Sequence, residues 1–577
     1  MSDKYAPREW HPDERPTMPG GPSFPRHSTP RRIAYFLVGT LVTLTGGLGN
    51  ALVTVNLVNL QGALGAFSAE TNWLPTAYVM TNVSMNLLLV KFRQQFGLRA
   101  FTEFFLVLYA LVTFAHLFVN DLGSAIAVRA AHGMVGAALS TLGLYYTLQS
   151  FKKEWRPRGI IISTGISQLA QPIAYLFSTR LLEVAEWRGL YLFELGLTLV
   201  TLGAVLWLKL PPGDRFRAFR PADFLTFALF APGMALLCAA LTFGRVLWWT
   251  QEPWIGVALA VSIVLLLAAI AVEHNRQNPL LNIRWLTNGM IARLFIAMVL
   301  VRVVLSEQSI GAVGFLRMVG LNNDQLQTLF LVVLVCTLLG IAMSALVYNP
   351  KHLMGPQVIA LLIMAMGAWI DSHANSLTRP EEMYVSQGML AFGGVFFLGP
   401  LLLTLLGTVV SNPANLITFS VLFGLTQNLG GLLGSSLLGT WQVMREKFHS
   451  SNLADELSSL DPLVAARIQQ GAAAYGRVLA DPSSRTRQGV AVLSQTATRE
   501  ANILAYNDVF LAISILAALL AAWIFGRALW LSYVAPPLTM PAPAPAPTAP
   551  DNATDSPIAN AAGEPPEPTA DGTIRTT

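Results

Sequence analysis

Apolar stretches of about twenty residues recur along most of this 577-residue chain, and each is long enough to cross about 30 Å of hydrocarbon as a helix. Strands of a membrane barrel would alternate between polar and apolar residues, and these stretches do not. Hydrophobic residues make up 53% of the chain and charged residues 12%, about half of the usual charged share in a soluble domain. The sequence therefore predicts an all-α membrane protein.

The two ends of the chain differ from this apolar middle. Residues 1–32 are rich in proline, arginine and acidic residues, with no apolar run of the kind that a cleavable signal needs. Residues 532–577 contain a proline-alanine stretch that cannot bury enough apolar area to fold. We predict two disordered tails around fourteen spanning helices, with helix ends placed to within about four residues. The predicted spans are residues 33–60, 71–92, 100–119, 123–148, 158–180, 187–209, 222–244, 254–273, 288–313, 325–348, 353–371, 383–409, 414–440 and 505–531.

The net charge of +5 falls mostly on short loops between the predicted spans, where basic residues orient a membrane protein rather than bind nucleic acid. With the N-terminus inside, the cytoplasmic short loops hold 14 lysines and arginines, against 5 in the opposite loops. Both tails are therefore predicted to be cytoplasmic and residues 441–504 to be outside. Leucines at roughly helical spacing in this outer segment, among them Leu460 and Leu463, predict an amphipathic helical pair over the outer mouth.

Two neighbouring apolar segments contain an unusual set of polar residues. The first carries Arg129 and His132, and the second carries Gln168, Gln171 and Pro172. A guanidinium in an apolar span costs roughly 2.5 to 3.5 kcal/mol, so we expect Arg129 to face a protein interior or a watery cavity. Pro172 lacks a backbone N–H and is expected to break its helix. A bent helix beside a buried cation predicts a site on a moving pathway.

Several short motifs resemble those of major facilitator transporters in their order and spacing. Residues 71–101, TNWLPTAYVMTNVSMNLLLVKFRQQFGLRAF, resemble the second helix of that superfamily and the loop after it. Arg129 and His132 resemble its fourth-helix pattern Arg-x-x-Gln-Gly-x-x-x-Ala-Ala, with histidine in place of glutamine. Two further matches are Gln171–Pro172, similar to the fifth-helix Gly-Pro, and Trp187–Arg188, similar to the Trp-Arg that opens helix six. Three other segments are similar to fourteen-span drug:proton antiporters of the EmrB/QacA type. They are MVGLNNDQLQT (318–328), QNLGGLLGSSLLGTWQVMREKFHSSNL (427–453) and ILAYNDVF (503–510).

This resemblance implies a major facilitator fold of two six-helix bundles plus two inserted helices. The N-terminal bundle would occupy residues 33–209 and the C-terminal bundle residues 288–531, including the periplasmic loop 441–504. The inserted helices and their linkers would occupy residues 210–287. A substrate would then bind near the bilayer midplane between the bundles, which rock to give alternating access.

The resemblance also implies an exporter of small amphipathic or toxic compounds in the bacterial cytoplasmic (inner) membrane, driven by proton antiport. Its partners would be a small-molecule substrate, protons and the lipid bilayer, and related Gram-negative proteins also use a periplasmic adaptor and an outer-membrane channel. A facilitator or importer of the same fold, and a non-transporting receptor or scaffold, remain alternatives. No Walker loop, metal cluster or catalytic constellation is recognisable in the sequence, so we predict neither an enzyme nor a cofactor.

Two usual features of the family are absent from the matching positions. Gly49 stands where the first helix usually carries an acidic residue for proton coupling. In the loop after the second helix, Gln94 replaces the aspartate that latches the two halves. The usual proton site and the usual latch are therefore not supplied by these residues.

Proton coupling needs a buried group that changes charge at an accessible pH. Glu307 and Glu194 are the leading candidates, followed by His132 and by Asp508 near the outer end of the last helix. Glu194 has an interfacial position as its alternative, and Glu307 a structural ion pair. For His132 the alternative is a hydrogen-bonded replacement for the family's glutamine. His116 is expected at the outer interface.

Other polar residues are candidates for supporting roles. Arg129 can bias a neighbouring carboxylate, while Arg302 lies off the helical face of Glu307 and is expected to find its partner on another helix. Polar and aromatic residues of the first and fifth helices are candidates for lining a substrate cavity, with interhelical contacts as the alternative. They are Asn50, Asn56, Gln168, Gln171, Pro172 and Tyr175.

Overall fold

Fourteen long helices lie at the predicted spans in the part of the chain that the computed structural model describes, and we number them α1 to α14. That part comprises residues 11, 14–16, 20–411, 415–458 and 460–534, and it contains no strand. The helices are α1 Thr29–Val55, α2 Trp73–Phe96, α3 Leu98–Ala115, α4 Leu122–Gln149, α5 Arg156–Gln168, α6 Ala170–Trp207, α7 Pro221–Val246, α8 Pro253–His274, α9 Gly289–Leu305, α10 Gln327–Val347, α11 Met354–Asp371, α12 Tyr384–Ser411, α13 Leu416–Glu456 and α14 Pro482–Val534.

The length and hydropathy of these helices confirm the prediction of an all-α membrane protein. Among the described residues, 13 stretches are long and apolar enough to cross a membrane. The remaining predicted span, α2, has 24 residues and is long enough to cross, but it is more polar than the others. A large unit of the chain ends at Ala528 and a second begins at Leu529.

The fifth span is interrupted one helical turn before Pro172, as expected of a helix-breaking proline. α5 ends at Gln168 and α6 begins at Ala170. In a continuous helix the N–H of residue 172 would donate to the carbonyl of Gln168, and Pro172 lacks that N–H. α6 carries the end of the fifth span and the whole sixth span, which are divided at Glu186, a residue with φ of 51°.

The helices before and after α7 and α8 each form a core of their own, and a further apolar cluster contains residues of both halves. In the N-terminal half, α1 packs against α4 and α6, and α3 packs against the same two helices. In the C-terminal half, α9 packs against α13, while α10 and α11 pack against α12. Helices α7 and α8, which the sequence predicts to be an inserted pair, pack on each other, and α7 also contacts α2 and α13. The inserted pair thus lies against one helix from each half.

The two halves are joined by hydrogen bonds near both ends of their seam. At the predicted inner end, Arg158 Nε donates to the carbonyl oxygen of Ala345 over 3.1 Å. At the predicted outer end, Arg317 Nη2 donates to the carbonyl oxygen of Val55 over 3.1 Å. Alternating access would have to break one of these sets at a time.

The last turns of α2, where Gln94 replaces the family's latch aspartate, are bound to α7 and to the linker before it. Lys91 Nζ lies 2.5 Å from Asp223 Oδ2 on α7, and Arg276 Nη2 lies 2.8 Å from Asp223 Oδ1. Gln95 Oε1 accepts from the backbone N–H of Ala218 over 3.0 Å. These contacts tie the linker before α7 to the N-terminal half.

The ends of the described chain depart from the predicted pattern. Residues 20–28, which the composition assigns to a disordered tail, pack at the inner end: Phe24 is buried, with the guanidinium of Arg156 3.6 Å from its ring centre. Residues 1–10, 12–13, 17–19 and 535–577 of the predicted tails lie outside the described residues. In the outer segment, a helix spans Pro462–Ala474, but Leu460 is 91% and Leu463 80% exposed, so these leucines do not pack as an apolar face.

Candidate functional site

The helix that carries Arg129 and His132 begins at a side-chain cap. Asp121 Oδ1 accepts a hydrogen bond from the backbone N–H of Ser124 over 2.9 Å, which satisfies a free N–H at the start of α4. Backbone and side-chain hydrogen bonds from Ser124 hold the pKa of the Asp121 carboxyl below its usual range. Because Arg129 and His132 are three residues apart in this helix, they lie on one face of it.

Arg129 is fully buried and binds α1. Its Nη1 donates to the carbonyl oxygen of Gly49 and its Nη2 to Asn50 Oδ1, each over 2.8 Å. The guanidinium carbon lies 4.6 Å from the ring centre of Tyr78. The buried charge is thus stabilised by oxygens and an aromatic face, and no described carboxylate forms an ion pair with it.

Glu194 brings a carboxylate from α6 to His132. It is 1% exposed, so the structure places it inside the N-terminal half rather than at the outer interface. Glu194 Oε1 lies 2.9 Å from His132 Nε2 and accepts a hydrogen bond from the Tyr109 hydroxyl over 2.9 Å. The first contact misses the geometry of a well-directed hydrogen bond, and it becomes an ion pair only when both nitrogens of His132 carry a proton.

The tautomer of His132 follows from its neighbours. Arg129 Nη1 can only donate, and it lies 3.2 Å from His132 Nδ1, which must therefore accept. We assign the ring proton to Nε2, on the side of Glu194. Loss or gain of a proton at Glu194 would therefore change its attraction to His132 and, through Nδ1, the surroundings of Arg129.

Gly49 makes room for this carboxylate. A Cβ atom at position 49 would lie 2.3 Å from the Tyr109 hydroxyl, 2.5 Å from Glu194 Oε1 and 2.9 Å from His132 Cε1. The family's acidic residue of the first helix would not fit beside these groups. In this chain, the space next to α1 is filled by a carboxylate from α6.

Gly49→Ala is therefore expected to destabilise the protein by about 1–3 kcal/mol, because three packed groups would have to move. Gly196→Ala is the matched control, since it lies in α6 with no atom within 4 Å of a new Cβ. The control should leave stability unchanged or raise it by up to about 1 kcal/mol. Thermal unfolding of both purified variants would check this, and equal melting temperatures would contradict it.

His116 lies in the same cluster, although the sequence predicts it at the outer interface. It is 1% exposed and stacks on Tyr191 with ring centres 4.5 Å apart. Its Nδ1 lies 3.0 Å from the carbonyl oxygen of Val112, while its Nε2 has no hydrogen-bond partner. Its ring centre is 5.0 Å from that of His132. His116 is therefore a second buried histidine beside His132, and one of its ring nitrogens is without a partner among the described residues.

A second buried cluster surrounds Glu307 in the C-terminal half. Glu307 is fully buried and opens a π-helical turn that ends at Ala312, a distortion often found at functional sites. Gln387 Nε2 donates to Glu307 Oε1 over 3.0 Å and to Asp371 Oδ2 over 2.8 Å. Ser386 Oγ donates to Asp371 Oδ1 over 2.5 Å. Two buried carboxyl groups therefore share one amide group.

The sequence analysis missed Asp371, Gln387 and Ser386. Asp371 is the last residue of the predicted span 353–371, where contact with water is expected, but it is only 3% exposed. Gln387, in the apolar α12, was the available signal, because a lone amide in a spanning helix needs partners. Its two carboxylate partners come from α11 and the turn after α9, whose contact was not visible in the sequence.

Arg302 is separate from Glu307 and finds its partners on other helices. Its Nη1 donates to Gln168 Oε1 on α5 over 3.3 Å, and its Nη2 donates to Gln427 Oε1 on α13. Arg302 forms no ion pair with a described acidic residue. The structure thus gives Glu307 no ion pair with Arg302.

Asp508 lies outside both buried clusters and forms an ion pair with residues of α13. Its Oδ2 lies 2.6 Å from Arg445 Nε and 2.7 Å from His449 Nε2, which ties α14 to α13. The side chain of Asp508 is 28% exposed. This arrangement is a partly exposed ion pair between two helices, and it contains neither Glu194 nor Glu307.

The cavity candidates are divided among several environments. Asn56 is buried and donates to Ser178 Oγ over 2.8 Å, so it serves an interhelical contact. Tyr175 stacks on Phe330 with ring centres 3.6 Å apart. Gln171 is exposed and its side chain makes no hydrogen bond to the described residues. Gln171 is therefore available to a ligand, whereas Asn56 and Tyr175 are committed to packing.

An apolar groove of about 410 Å³ lies apart from these candidates. Residues of α10, α11 and α12 line it, including Cys336, Gly388 and Phe392. No group of three or more possible metal ligands occurs in the described part of the chain. The groove contains no ionisable carboxylate, so the polar clusters remain the candidate site.

Comparison with known proteins identifies the family. A family model described as Major Facilitator Superfamily matches residues 39–435, more than half of the chain. The chain belongs to the major facilitator superfamily. Members of this superfamily are transporters of small molecules, and the predicted major facilitator fold is confirmed.

Individual relatives of this major facilitator transporter are distant. The major facilitator superfamily multidrug transporter mfsC of Aspergillus fumigatus is 28% identical over 228 residues, which cover 39% of this chain and 43% of that protein. The uncharacterized MFS-type transporter YhcA of Bacillus subtilis is 20% identical over 434 residues, covering 73% of this chain and 80% of that protein. The chain thus matches less than half the length of the fungal relative.

Solved structures support the fold alone. The human organic anion transporter MFSD10 (TETRAN) superposes with a TM-score of 0.51 at 12% identity, covering 85% of this chain and 100% of that chain. A bacterial homologue of the human drug peptide transporters PepT1 and PepT2 superposes with a TM-score of 0.50 at 12% identity, covering 87% and 99%.

Proposed function

We propose that this major facilitator transporter exports small amphipathic or toxic compounds by proton antiport, and that Glu194 carries the coupled proton. The observation that carries the proposal is the fully enclosed Glu194 carboxylate, 2.9 Å from both His132 Nε2 and the Tyr109 hydroxyl. A buried carboxylate whose attraction to a neighbour changes on protonation can bias two conformations of a protein. A relative named as a multidrug transporter supports the substrate class.

The path from this proton site to the seam runs along α1. Arg129 holds α1 at Gly49, and the C-terminal half holds the same helix at Val55 through Arg317. These two carbonyl groups are six residues apart, or about 9 Å along a helix. Protonation of Glu194 weakens its attraction to His132. This changes the surroundings of Arg129, because Arg129 Nη1 contacts His132 Nδ1. The outer seam is thereby coupled to the proton through one rigid helix.

The buried pair Glu307 and Asp371 is the second proton site in this proposal. Two carboxylates that share one amide repel each other in an apolar interior, and a proton on one of them removes that repulsion. The pair lies in the C-terminal half and Glu194 in the N-terminal half. Each half would then contain one group whose charge depends on access to water.

The remaining assignments follow from the same model of function. We assign the protein to the fourteen-span EmrB/QacA type and to the bacterial inner membrane, with both termini cytoplasmic, residues 441–504 periplasmic and a six-helix bundle on each side of the inserted pair. The charge asymmetry of 14 to 5 in the short loops supports this orientation. A periplasmic adaptor and an outer-membrane channel would complete the export route.

The proposal is tested in inverted membrane vesicles that are energised by a proton gradient. Vesicles that contain the protein should accumulate a fluorescent amphipathic dye, and collapse of the pH gradient should abolish this accumulation. Vesicles without the protein are the control. Uptake that survives the collapse would favour a facilitator or importer, and absence of protein-dependent movement for every compound tested would favour a receptor or scaffold.

A further inference from the structure

Arg302 is a cation at the seam between the two halves that has no acidic partner among the described residues. It is the fourteenth of the 30 residues in the span Gly289–Met318, which places it near the middle of the membrane. Its two partners, Gln168 of α5 and Gln427 of α13, offer neutral oxygens rather than a carboxylate. A guanidinium at this depth normally pairs with an acidic group or lines a path for one.

Two hydrogen-bond donors in this cluster have no acceptor. Arg302 Nε and Gln427 Nε2 are both enclosed, and neither has a hydrogen-bond partner in the part of the chain that the structure describes. Enclosed donors without acceptors are costly, so their persistence indicates a site that something else completes. A positive charge with two free donors calls for a ligand that has several acceptor oxygens and a negative charge.

We propose that Arg302, Gln168 and Gln427 bind the anionic head group of the substrate, and that the transported amphiphiles are organic anions carrying a carboxylate or sulfonate. This inference rests on the proposed function, because it names the substrate class of that transporter. The three residues come from α5, α9 and α13, so one bound anion contacts both halves. Because a ligand bound in this way contacts both halves, its binding can affect how they move relative to each other.

Two probes of the same shape separate charge from hydrophobicity. 1-Anilinonaphthalene-8-sulfonate and N-phenyl-1-naphthylamine share one aromatic skeleton and differ by the sulfonate. Fluorescence titration of the full-length protein in lipid nanodiscs, with empty nanodiscs subtracted, gives both affinities at equilibrium without a proton gradient. Arg302→Gln should weaken sulfonate binding by at least about tenfold and leave binding of the neutral probe unchanged. Arg302→Lys should retain part of the preference, because it keeps the charge but not the planar fork.

Gln427→Glu guards against a variant that merely fails to fold. The new carboxylate would pair with Arg302 inside the protein, which should preserve stability while it competes with the sulfonate probe. Arg379→Gln, which alters an arginine of the loop before α12 bound to the backbone carbonyls of Ser376 and Thr378, is the control and should leave the ratio of the two affinities unchanged.

Three results would overturn the anion site. They are a wild-type protein that binds neither probe, one that binds only the neutral probe, and a ratio of affinities that Arg302→Gln and Gln427→Glu leave unchanged. Because no proton gradient is involved, selective sulfonate binding that depends on Arg302 would stand even if vesicle transport proved independent of protons. Conversely, proton-driven transport of neutral compounds alone would refute the anion site and retain the antiporter.

Discussion

Glu194→Gln is expected to abolish the coupling of transport to protons while the protein stays folded. Glutamine has nearly the size of glutamate and can still accept from the Tyr109 hydroxyl, but it cannot change charge. Coupling free energies in proteins are about 1–3 kcal/mol, which corresponds to factors of about 5 to 150. Glu194→Gln should therefore lower proton-driven transport by a factor in that range. Transport and substrate-driven proton release should be measured together in liposomes and normalised to the folded fraction.

Glu103→Gln is the matched control for this experiment. Glu103 also lies in the N-terminal half, but its side chain is 41% exposed and faces Lys209 at 3.3 Å. An exposed ion pair of this kind contributes little, so transport should be unchanged. Full substrate-driven proton release by Glu194→Gln would contradict the proposed role and shift it to Glu307.

His132 offers a way to separate the carboxylate from its neighbour. If histidine only replaces the family's glutamine as a hydrogen-bonding group, His132→Gln should keep proton coupling, because a glutamine oxygen can accept from Arg129 as Nδ1 does. If the imidazole itself carries the proton, His132→Gln should behave like Glu194→Gln. The same liposome assay distinguishes the two roles.

The fold could largely be predicted from the sequence because each spanning helix satisfies its own backbone within one apolar run. Pro172 interrupts its helix as expected, and the break lies between Gln168 and Ala170 because the missing N–H would have donated to the carbonyl of Gln168. Burial in the N-terminal tail was harder to predict. Phe24 was missed as a core residue because it stands alone among glycines, prolines and polar residues, and it is buried against residues of other segments such as Leu148 and Ile160.

The candidate site was predictable only where its residues share one helix. Arg129 and His132 follow from a spacing of three residues. Glu194 was found as a buried acid candidate, but its contact with His132 depends on how α6 packs beside α4, which no local pattern specifies. The loss of the acidic residue at Gly49 and the presence of Glu194 are one arrangement in space, and they are 145 residues apart in the sequence.

Glu307→Gln tests the second acid site. Its expected effect on the free energy of unfolding depends on which residue is the partner of Glu307. With Arg302 as its partner, the substitution would leave a buried cation unpaired. The observed partner is Gln387, which also binds Asp371, so replacing one of two neighbouring carboxyl groups removes no ion pair. We therefore expect the free energy of unfolding to change by less than about 1 kcal/mol. Glu446→Gln, which alters another buried glutamate of the C-terminal half, is the control.

The effect of Glu307→Gln on transport should match that of Asp371→Asn, because the two carboxyl groups share one amide and act as a unit. If one proton held between them is released and taken up during the cycle, either substitution removes that exchange, and the double variant should be no worse than either single one. Proton release per transported substrate, measured in liposomes, should therefore fall by the same amount in all three variants, while Glu446→Gln retains the wild-type value. Additive losses would mean that the two acids act separately, and unchanged proton release in both single variants would leave Glu194 as the coupling group.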